Sequence, residues 1–164
     1  MAADPDCLFC KIAAGHIPAT RVYEDERTIA FMDINPGTRG HLLVIPREHY
    51  ADLLDIAQED LAAVARTAQV MAARASERLD ALGVNLLNSC GAQAWQTVFH
   101  FHVHVIPRCP DDGFDVPLPF AGSQMPDRTV LDANAARIIA ALRDPVAARP
   151  NRREASEDRR APSR

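Results

Sequence analysis

Residues 98–106 read VFHFHVHVI, a run in which three histidines alternate with apolar residues, and Pro107 follows it. Alternate residues of a β-strand face the same side of a sheet, so this period of two predicts a strand over residues 98–106. The three imidazoles should project from one face of the strand, while the apolar residues between them face the core. These histidines are His100, His102 and His104.

Three further segments carry strand patterns. Residues 21–33 predict two short strands around a polar turn at residues 24–26. The apolar run at residues 41–46 is entered through proline and glycine and closed by Pro46, and it predicts a third strand. Residues 84–88 predict a fourth. With the histidine strand they predict an antiparallel sheet of about five strands in an α+β fold.

Two helices are expected beside the sheet. Apolar residues recur at spacings of three and four over residues 58–82, which predicts a long helix with Gly83 as its C-terminal cap. A short helix is predicted over about residues 129–143. One domain is therefore expected over residues 1–143. Residues 144–164 are rich in Arg, Pro and Ala with almost no large apolar residue, so a disordered tail is expected there.

Composition narrows the class of protein. The chain has 164 residues, of which 48% are hydrophobic, enough for one globular core. No apolar run approaches the roughly 18 residues of a membrane helix, and no secretory signal is visible, so a cytoplasmic protein without a membrane partner is expected. The net charge of −4 argues against general binding to nucleic acid. The sequence contains neither a GxGxxG nor a GxxxxGK[ST] phosphate loop.

Three aligned imidazoles allow several interpretations. A partly exposed strand with polar residues outward would usually carry Thr, Lys or Glu at these positions. One zinc ion cannot bind all three, because His100 and His104 lie about 13 Å apart at roughly 3.3 Å per residue. Two adjacent histidines could bind zinc with a third ligand from elsewhere. Alternatively, a neutral imidazole could attack an electrophile while a second imidazole binds charge or moves a proton.

The four cysteines include one close pair, Cys7-x-x-Cys10. Disulfides are unexpected in a cytosolic chain, so the pair indicates metal or redox chemistry. Two further ligands would complete a structural zinc site. A reduced, metal-free pair that ties down the N-terminus is the alternative. Cys90 and Cys109 are expected to have ordinary structural roles.

The histidine segment resembles the His-φ-His-φ-His-φ-φ signature of the histidine triad (HIT) superfamily, where φ is an apolar residue. The resemblance covers about residues 7–110 and is similar to the bacterial Hint-like branch with an N-terminal CxxC. Motifs upstream occur in the family's order: Cys7-Leu-Phe-Cys10-Lys-Ile, Tyr23-Glu-Asp25, Phe31-Met-Asp-Ile-Asn-Pro36, Gly40-His-Leu-Leu-Val-Ile-Pro46, Asn88 and Gln96-Thr-Val98.

The resemblance implies a role for each matching residue. His102 would attack the α-phosphorus of a nucleotide and carry the nucleotidyl group covalently. The carbonyl of His100 would accept a hydrogen bond from the His102 ring, His104 would contact the α-phosphate and assist the leaving group, and His41 would join the cluster. Asp33 would hold the ribose, Ile34 would line the base pocket, and the remaining positions would surround the phosphate. These remaining positions are Asn88, Ser89, Gln96, Thr97 and Val98.

The resemblance also implies a structural zinc site and a homodimer. In relatives with this CxxC, zinc is bound by two cysteines, a histidine after the strand that ends in Val-Ile-Pro (here residues 44–46) and the first triad histidine. The matching ligands are Cys7, Cys10, His49 and His100. Trp95 replaces a glycine that often precedes the glutamine in Hint-like proteins. It either covers the leaving-group side of the site or lies at a dimer contact.

Three functional hypotheses follow. The first is a nucleotidyl hydrolase or transferase that acts on purine nucleoside phosphoramidates or dinucleoside polyphosphates through a covalent His102 intermediate. The second is a zinc-bearing nucleotide-binding or interaction module without significant turnover. The third is a metallohydrolase with zinc bound by triad members, in which metal stripping would abolish activity without unfolding the protein.

Overall fold

The computed structural model describes residues 4–114 and 127–143. The chain divides into two compact units, Met1–Asp115 and Val116–Arg164. The first unit contains the whole sheet and every predicted site residue, and the second contains one described helix. The single domain expected over residues 1–143 stays a prediction, and the tail expected at residues 144–164 lies outside the described residues.

The described part of the first unit contains a five-stranded antiparallel sheet, as the sequence predicts. The strand order is β1-β2-β3-β5-β4, so β1 and β4 are the two edges. The final strand β5 lies between β3 and β4, which brings the histidine segment beside β3. The strands are β1 Arg21–Glu24, β2 Thr28–Met32, β3 Leu42–Pro46, β4 Gly83–Leu87 and β5 Val103–Arg108.

The described helices are α1 (Leu8–Ala13), α2 (Gln58–Leu79) and α3 (Arg128–Arg143), and α3 belongs to the second unit. Helix α2 covers one face of the sheet, where Val64 and Phe101 are buried in one apolar cluster. Helix α1 contributes to a second cluster with β2 and β3. The histidines project toward α1, so this short helix backs the candidate site.

Helix α2 ends three residues before the predicted boundary. Leu79 is its last residue, and Asp80 caps it in the left-handed conformation with φ of 56°. Gly83 is therefore not the cap, because it begins β4 instead. Leu82, assigned to the apolar face of this helix by its spacing, lies outside α2 and is exposed.

The histidine strand also begins later than predicted, at Val103. The N–H of Phe101 donates to the carbonyl of Tyr50 at 2.6 Å, outside the sheet ladder, and pairing with β3 begins only at Val103. The alternation of side chains nevertheless extends before the strand, because Phe101 and Val105 share one apolar cluster while His100 and His102 lie on the other side.

Helix α1 was not predicted, because six residues are too few to show an apolar period. Its first turn is capped by Cys7, whose Sγ accepts from the N–H of Cys10. None of the helices within residues 4–114 and 127–143 is long and apolar enough to cross a membrane.

Candidate active site and metal centre

The ring of His102 has a defined orientation and a defined tautomer. Its Nδ1 lies 2.7 Å from the carbonyl oxygen of His100, which can only accept, so Nδ1 carries the proton. Burial lowers the pKa of His102 below its usual value, which keeps the ring neutral at pH 7. The lone pair is therefore on Nε2, and a neutral imidazole with a free Nε2 is a nucleophile.

A hydrogen-bonded chain sets the opposite tautomer on His104. The N–H of Gly37 donates to Nδ1 of His41 at 3.0 Å, so the proton of neutral His41 is on Nε2. That Nε2 lies 2.9 Å from Nδ1 of His104 and donates to it. His104 consequently carries its own proton on Nε2 and can donate from that atom.

The rings of His41 and His104 are both neutral at pH 7. Burial is the main cause, and it lowers the pKa of His41 and lowers that of His104 to about 4. The neighbouring rings of His102 and His41 lower the His104 pKa further, while Asp33 opposes the shift. A cation at either ring would be poorly solvated here.

The rings of His102 and His104 are close together. The ring centroids of His102 and His104 are 5.0 Å apart. Phe9 of α1 contacts the His102 ring edge to face, with centroids 5.3 Å apart, and excludes water from that side. The cluster thus offers a lone pair and a proton donor at neighbouring positions, as displacement at a phosphorus atom requires.

Asp33 lies beside the hydrogen-bonded histidine pair, with its Oδ2 3.5 Å from Nε2 of His41 and 3.8 Å from Nδ1 of His104. These three side chains could hold a metal by proximity alone. However, the Gly37 N–H leaves the proton of His41 on Nε2, the atom that a metal in this cluster would need. The geometry therefore favours a hydrogen-bonded chain over the metallohydrolase hypothesis.

A second cluster joins Cys7, Cys10, His49 and His100, whose possible ligand atoms all lie within 4.8 Å of one another. Nδ1 of His100 is 3.5 Å from Sγ of Cys7 and 3.6 Å from Sγ of Cys10. Nδ1 of His49 is 3.3 Å from Sγ of Cys10. Bonds of about 2.3 Å to sulfur and 2.1 Å to nitrogen give a tetrahedral S···N edge of about 3.6 Å. The observed distances fit a zinc tetrahedron.

The surroundings of this cluster also suit a metal. Nε2 of His100 donates to the carbonyl of Pro46 at 3.0 Å, which turns the lone pair on Nδ1 toward the thiols. Nε2 of His49 lies 3.9 Å from a carboxylate oxygen of Asp4. Burial raises the pKa of the Cys10 thiol to about 11, so a bound cation is needed to stabilise its thiolate.

His100 serves both clusters through different atoms. Its ring faces the cysteines, and its carbonyl oxygen accepts from His102. The residue is fully buried. This arrangement agrees with the prediction that His100, His102 and His104 cannot all bind one ion.

The loop between β4 and β5 holds five of the predicted substrate residues, Asn88, Ser89, Gln96, Thr97 and Val98. Gln96 is buried, and its side-chain amide hydrogen-bonds to backbone groups. Oε1 accepts from the N–H of Gly91, while Nε2 donates to the carbonyls of Ala51 and Val98. Its side chain therefore braces the loop. Nδ2 of Asn88, the residue after β4, donates to the carbonyl of His102 at 2.8 Å, which ties the start of the loop to the His102 backbone.

The remaining predicted positions differ in exposure. Ser89 is buried, Thr97 is exposed and Val98 packs partly against the cluster that includes α1. Ile34 follows Asp33 with 91% of its surface exposed. Trp95 is also exposed and adopts a positive φ of 67°, a conformation that suits the glycine often found there in Hint-like proteins.

Sequence reasoning missed Gly37 as a site residue. The sequence predicts Gly37 only as part of the turn that enters β3, because a backbone N–H leaves no pattern in a sequence. Tyr50 and Phe9 were missed for a similar reason, since each acts through a backbone or apolar contact with the histidine segment.

An α+β fold with this sheet order, a buried histidine run and a neighbouring cysteine–histidine cluster defines a histidine triad protein. The chain belongs to this family: the HIT domain model matches residues 14–111. The protein named Protein hit of Bacillus subtilis (strain 168) is 42% identical over 110 residues, which cover 66% of this chain and 76% of that protein.

Two further comparisons bear on the site. The crystal structure of a Zn-bound histidine triad family protein from Mycobacterium smegmatis superposes with a TM-score of 0.65 and 41% identity, covering 83% of this chain and 97% of that one. The Adenylylsulfatase HINT3 of Arabidopsis thaliana is 37% identical over 103 residues, 63% of this chain and 52% of the plant protein.

Proposed function

We propose that this protein is a nucleotidyl hydrolase or transferase that cleaves at the α-phosphate of purine nucleoside phosphoramidates or dinucleoside polyphosphates. The observation that carries the proposal is the 2.7 Å contact between Nδ1 of His102 and the carbonyl of His100. This contact leaves the Nε2 lone pair of a neutral, buried imidazole free for attack. A nucleotidyl-histidine intermediate at His102 follows from it.

The reaction has two balanced steps. In the first, Nε2 of His102 forms a bond to the α-phosphorus, and the bond from phosphorus to the leaving group breaks with its electron pair on the leaving group, which takes a proton from solvent. In the second, water attacks the phosphorus, the bond to Nε2 breaks with its electron pair on Nε2, and one proton of the water passes to solvent. A nucleoside monophosphate and free His102 are the products.

The neighbouring residues act on charge and position. Nε2–H of His104 donates to an α-phosphate oxygen, where negative charge grows in the transition state. His41 maintains that tautomer. Asp33 holds the ribose hydroxyls, and the exposed Ile34 contacts the base. The loop braced by Gln96 presents the backbone of Thr97 and Val98 to the phosphate.

The relatives support this reaction class. A plant relative carries the name adenylylsulfatase, and an adenylyl sulfate also joins its leaving group to an α-phosphorus. Hydrolysis is therefore the reaction that the family comparison favours.

The metal in this proposal is a structural zinc at Cys7, Cys10, His49 and His100. The ligand distances support it, and so does the zinc in the mycobacterial relative. When bound, the ion would stabilise the thiolates and hold α1 and the two histidine-bearing segments together. A reducing cytoplasm keeps both thiols available for this ion.

We propose a homodimer through the β4 edge. Leu82, Leu86 and Leu87 are exposed along this edge, with Leu82 83% exposed. Apolar side chains on an unpaired edge strand favour pairing with a second copy. The purine nucleotide is the proposed small-molecule partner.

The test is intact-protein mass spectrometry after rapid mixing with an adenosine 5′-phosphoramidate ester. Wild type should show a transient adenylyl adduct and release AMP. His102→Ala should keep its fold and bind AMP but form no adduct, while the exposed His16→Ala control should behave as wild type. AMP binding without adduct or turnover in wild type would contradict the proposal and favour the binding-module alternative.

A further inference from the structure

Gly37 lies against the aromatic ring of Phe114, a residue outside the histidine cluster. A Cβ added to Gly37 would lie 2.5 Å from Cε2 and 2.8 Å from Cδ2 of Phe114, so no larger residue fits without displacement. The absence of a side chain allows this close approach. The ring of Phe114 therefore packs against the Cα of Gly37, whose N–H donates to His41.

Hydrogen bonds hold both the N–H and the carbonyl of Phe114. Its N–H donates to Oδ1 of Asp112 at 2.9 Å, and its carbonyl accepts from Nη2 of Arg108 at 2.6 Å. The Arg108 guanidinium also lies over the Phe114 ring, 5.2 Å from its centroid. The ring consequently has little freedom to move away from Gly37.

Arg108 and Asp112 form the clamp that holds this ring. Nε of Arg108 donates to Oδ2 of Asp112 at 2.7 Å, and Nη2 donates to Oδ1 at 3.1 Å, so the pair is bidentate. The Arg108 hydrogen bonds hold the pKa of Asp112 well below its usual range. Nη1 of Arg108 donates to Oδ1 of Asn85, which ties the clamp to β4.

We infer that Phe114, held by Arg108 and Asp112, is a positioning residue that sets the tautomer of His104 through Gly37 and His41. The ring keeps the Gly37 N–H aimed at Nδ1 of His41. His41 therefore donates from Nε2, and His104 keeps its proton on the nitrogen that donates to substrate. This inference rests on the proposed function for its catalytic effect, although the proton positions exist without substrate.

The direct test is an NMR measurement of the ring nitrogens in the full-length protein as purified. Long-range ¹H–¹⁵N correlations distinguish protonated from unprotonated imidazole nitrogens, and single-histidine variants assign the signals. Wild type should show Nε2–H on His41 and His104. In Phe114→Ala, both rings should become tautomer mixtures, while His102 should keep its proton on Nδ1.

The kinetic readout is the separation of kcat from KM. Phe114→Ala should lower kcat about ten-fold, part of the 10²–10³ that one transition-state donor contributes, with KM unchanged. Phe114→Leu keeps most of the covering bulk and should restore both the nitrogen pattern and kcat. If wild type turns over no substrate, the proposed function fails, but the nitrogen pattern still tests the positioning role.

Two carboxamide variants provide a matched comparison. Asp112→Asn weakens the clamp and should shift the His41 and His104 pattern in the same direction as Phe114→Ala. It also serves as the test if Phe114→Ala does not fold. Asp132→Asn removes an exposed carboxylate from another i,i+4 arginine pair, in α3, and should change nothing. Unchanged ring-nitrogen patterns in folded Phe114→Ala or Asp112→Asn would overturn the inference.

Discussion

His102 and His104 are two residues apart, yet their rings carry their protons on opposite nitrogens. His102 donates from Nδ1 to the His100 carbonyl, whereas His104 accepts at Nδ1 from His41. Identical side chains thus present a lone pair on Nε2 of His102 and an N–H on Nε2 of His104 because their partners differ.

The acid limb of the activity profile should lie below pH 6.5. A lowered pKa means that the neutral ring persists to lower pH, and His104 takes its second proton only near pH 4. We expect kcat/KM to hold as pH falls through 6.5 and to decline toward pH 4. An acid limb with its midpoint at 6.5 or above would contradict the burial argument.

The same shift makes stability depend on pH. Unfolding returns His104 to an ordinary pKa of about 6.5, so the unfolded chain binds more protons between pH 4 and 6.5. The stabilising contribution is present above pH 6.5 and lost as pH falls toward 4. Urea denaturation at pH 7 and pH 5, with zinc saturating, measures it; equal stability at both values would be evidence against a buried neutral ring.

Removal of one zinc ligand should cost stability. Cys10→Ser weakens the metal site, and loss of the ion should lower the free energy of unfolding by about 4 kcal/mol. Metal analysis should show one zinc per chain in wild type and none in the variant. Cys90→Ser is the control, because Cys90 lies outside the ligand cluster. A Cys10→Ser protein as stable as the control would refute structural zinc.

Gln96→Leu should disturb the loop before the histidine run. The substitution leaves the Gly91 N–H and the carbonyls of Ala51 and Val98 without their partner. These three groups are part-buried, so each should cost about 1 kcal/mol, the low end of the range for an unpaired group, and we expect a loss of roughly 3 kcal/mol and a lower kcat/KM. Gln93→Leu, at an exposed position in the same loop, is the comparison. Thermal unfolding and steady-state kinetics of both variants decide.

A charge on the β4 edge should dissociate the proposed dimer. Leu86 is 55% exposed on β4, and Val22 is 47% exposed on β1 at the opposite edge. We expect Leu86→Glu to be monomeric by light scattering at micromolar concentration, because a buried carboxylate is poorly solvated. Val22→Glu should remain dimeric. Dissociation by Val22→Glu alone would move the interface to the other edge.

The sheet could be predicted from sequence because its strands carry clear patterns. Alternation placed the histidines on one side, and the apolar runs placed the other strands within a few residues of their observed bounds. The boundaries at Val103 and Leu79 could not be predicted. The first depends on a hydrogen bond from Phe101 to Tyr50, and the second on a left-handed Asp80.

The site was predictable only in part. The cysteines, His49 and the triad are visible as residues, but the grouping of Cys7, Cys10, His49 and His100 into one metal cluster came from resemblance to a family and from no spacing in the chain. The resemblance already implies the hydrogen bond from the His102 ring to the His100 carbonyl. The proton position on His104 came from the structure alone, since it depends on the backbone N–H of Gly37.

His100 meets two demands with two different parts of one residue. Its ring faces the thiols, and its carbonyl orients the His102 ring. Every amino acid has a carbonyl, but only histidine offers this imidazole. Under the proposed zinc site, the side chain at position 100 answers to the cysteine pair, whereas the carbonyl that orients His102 survives any substitution there that leaves the backbone in place.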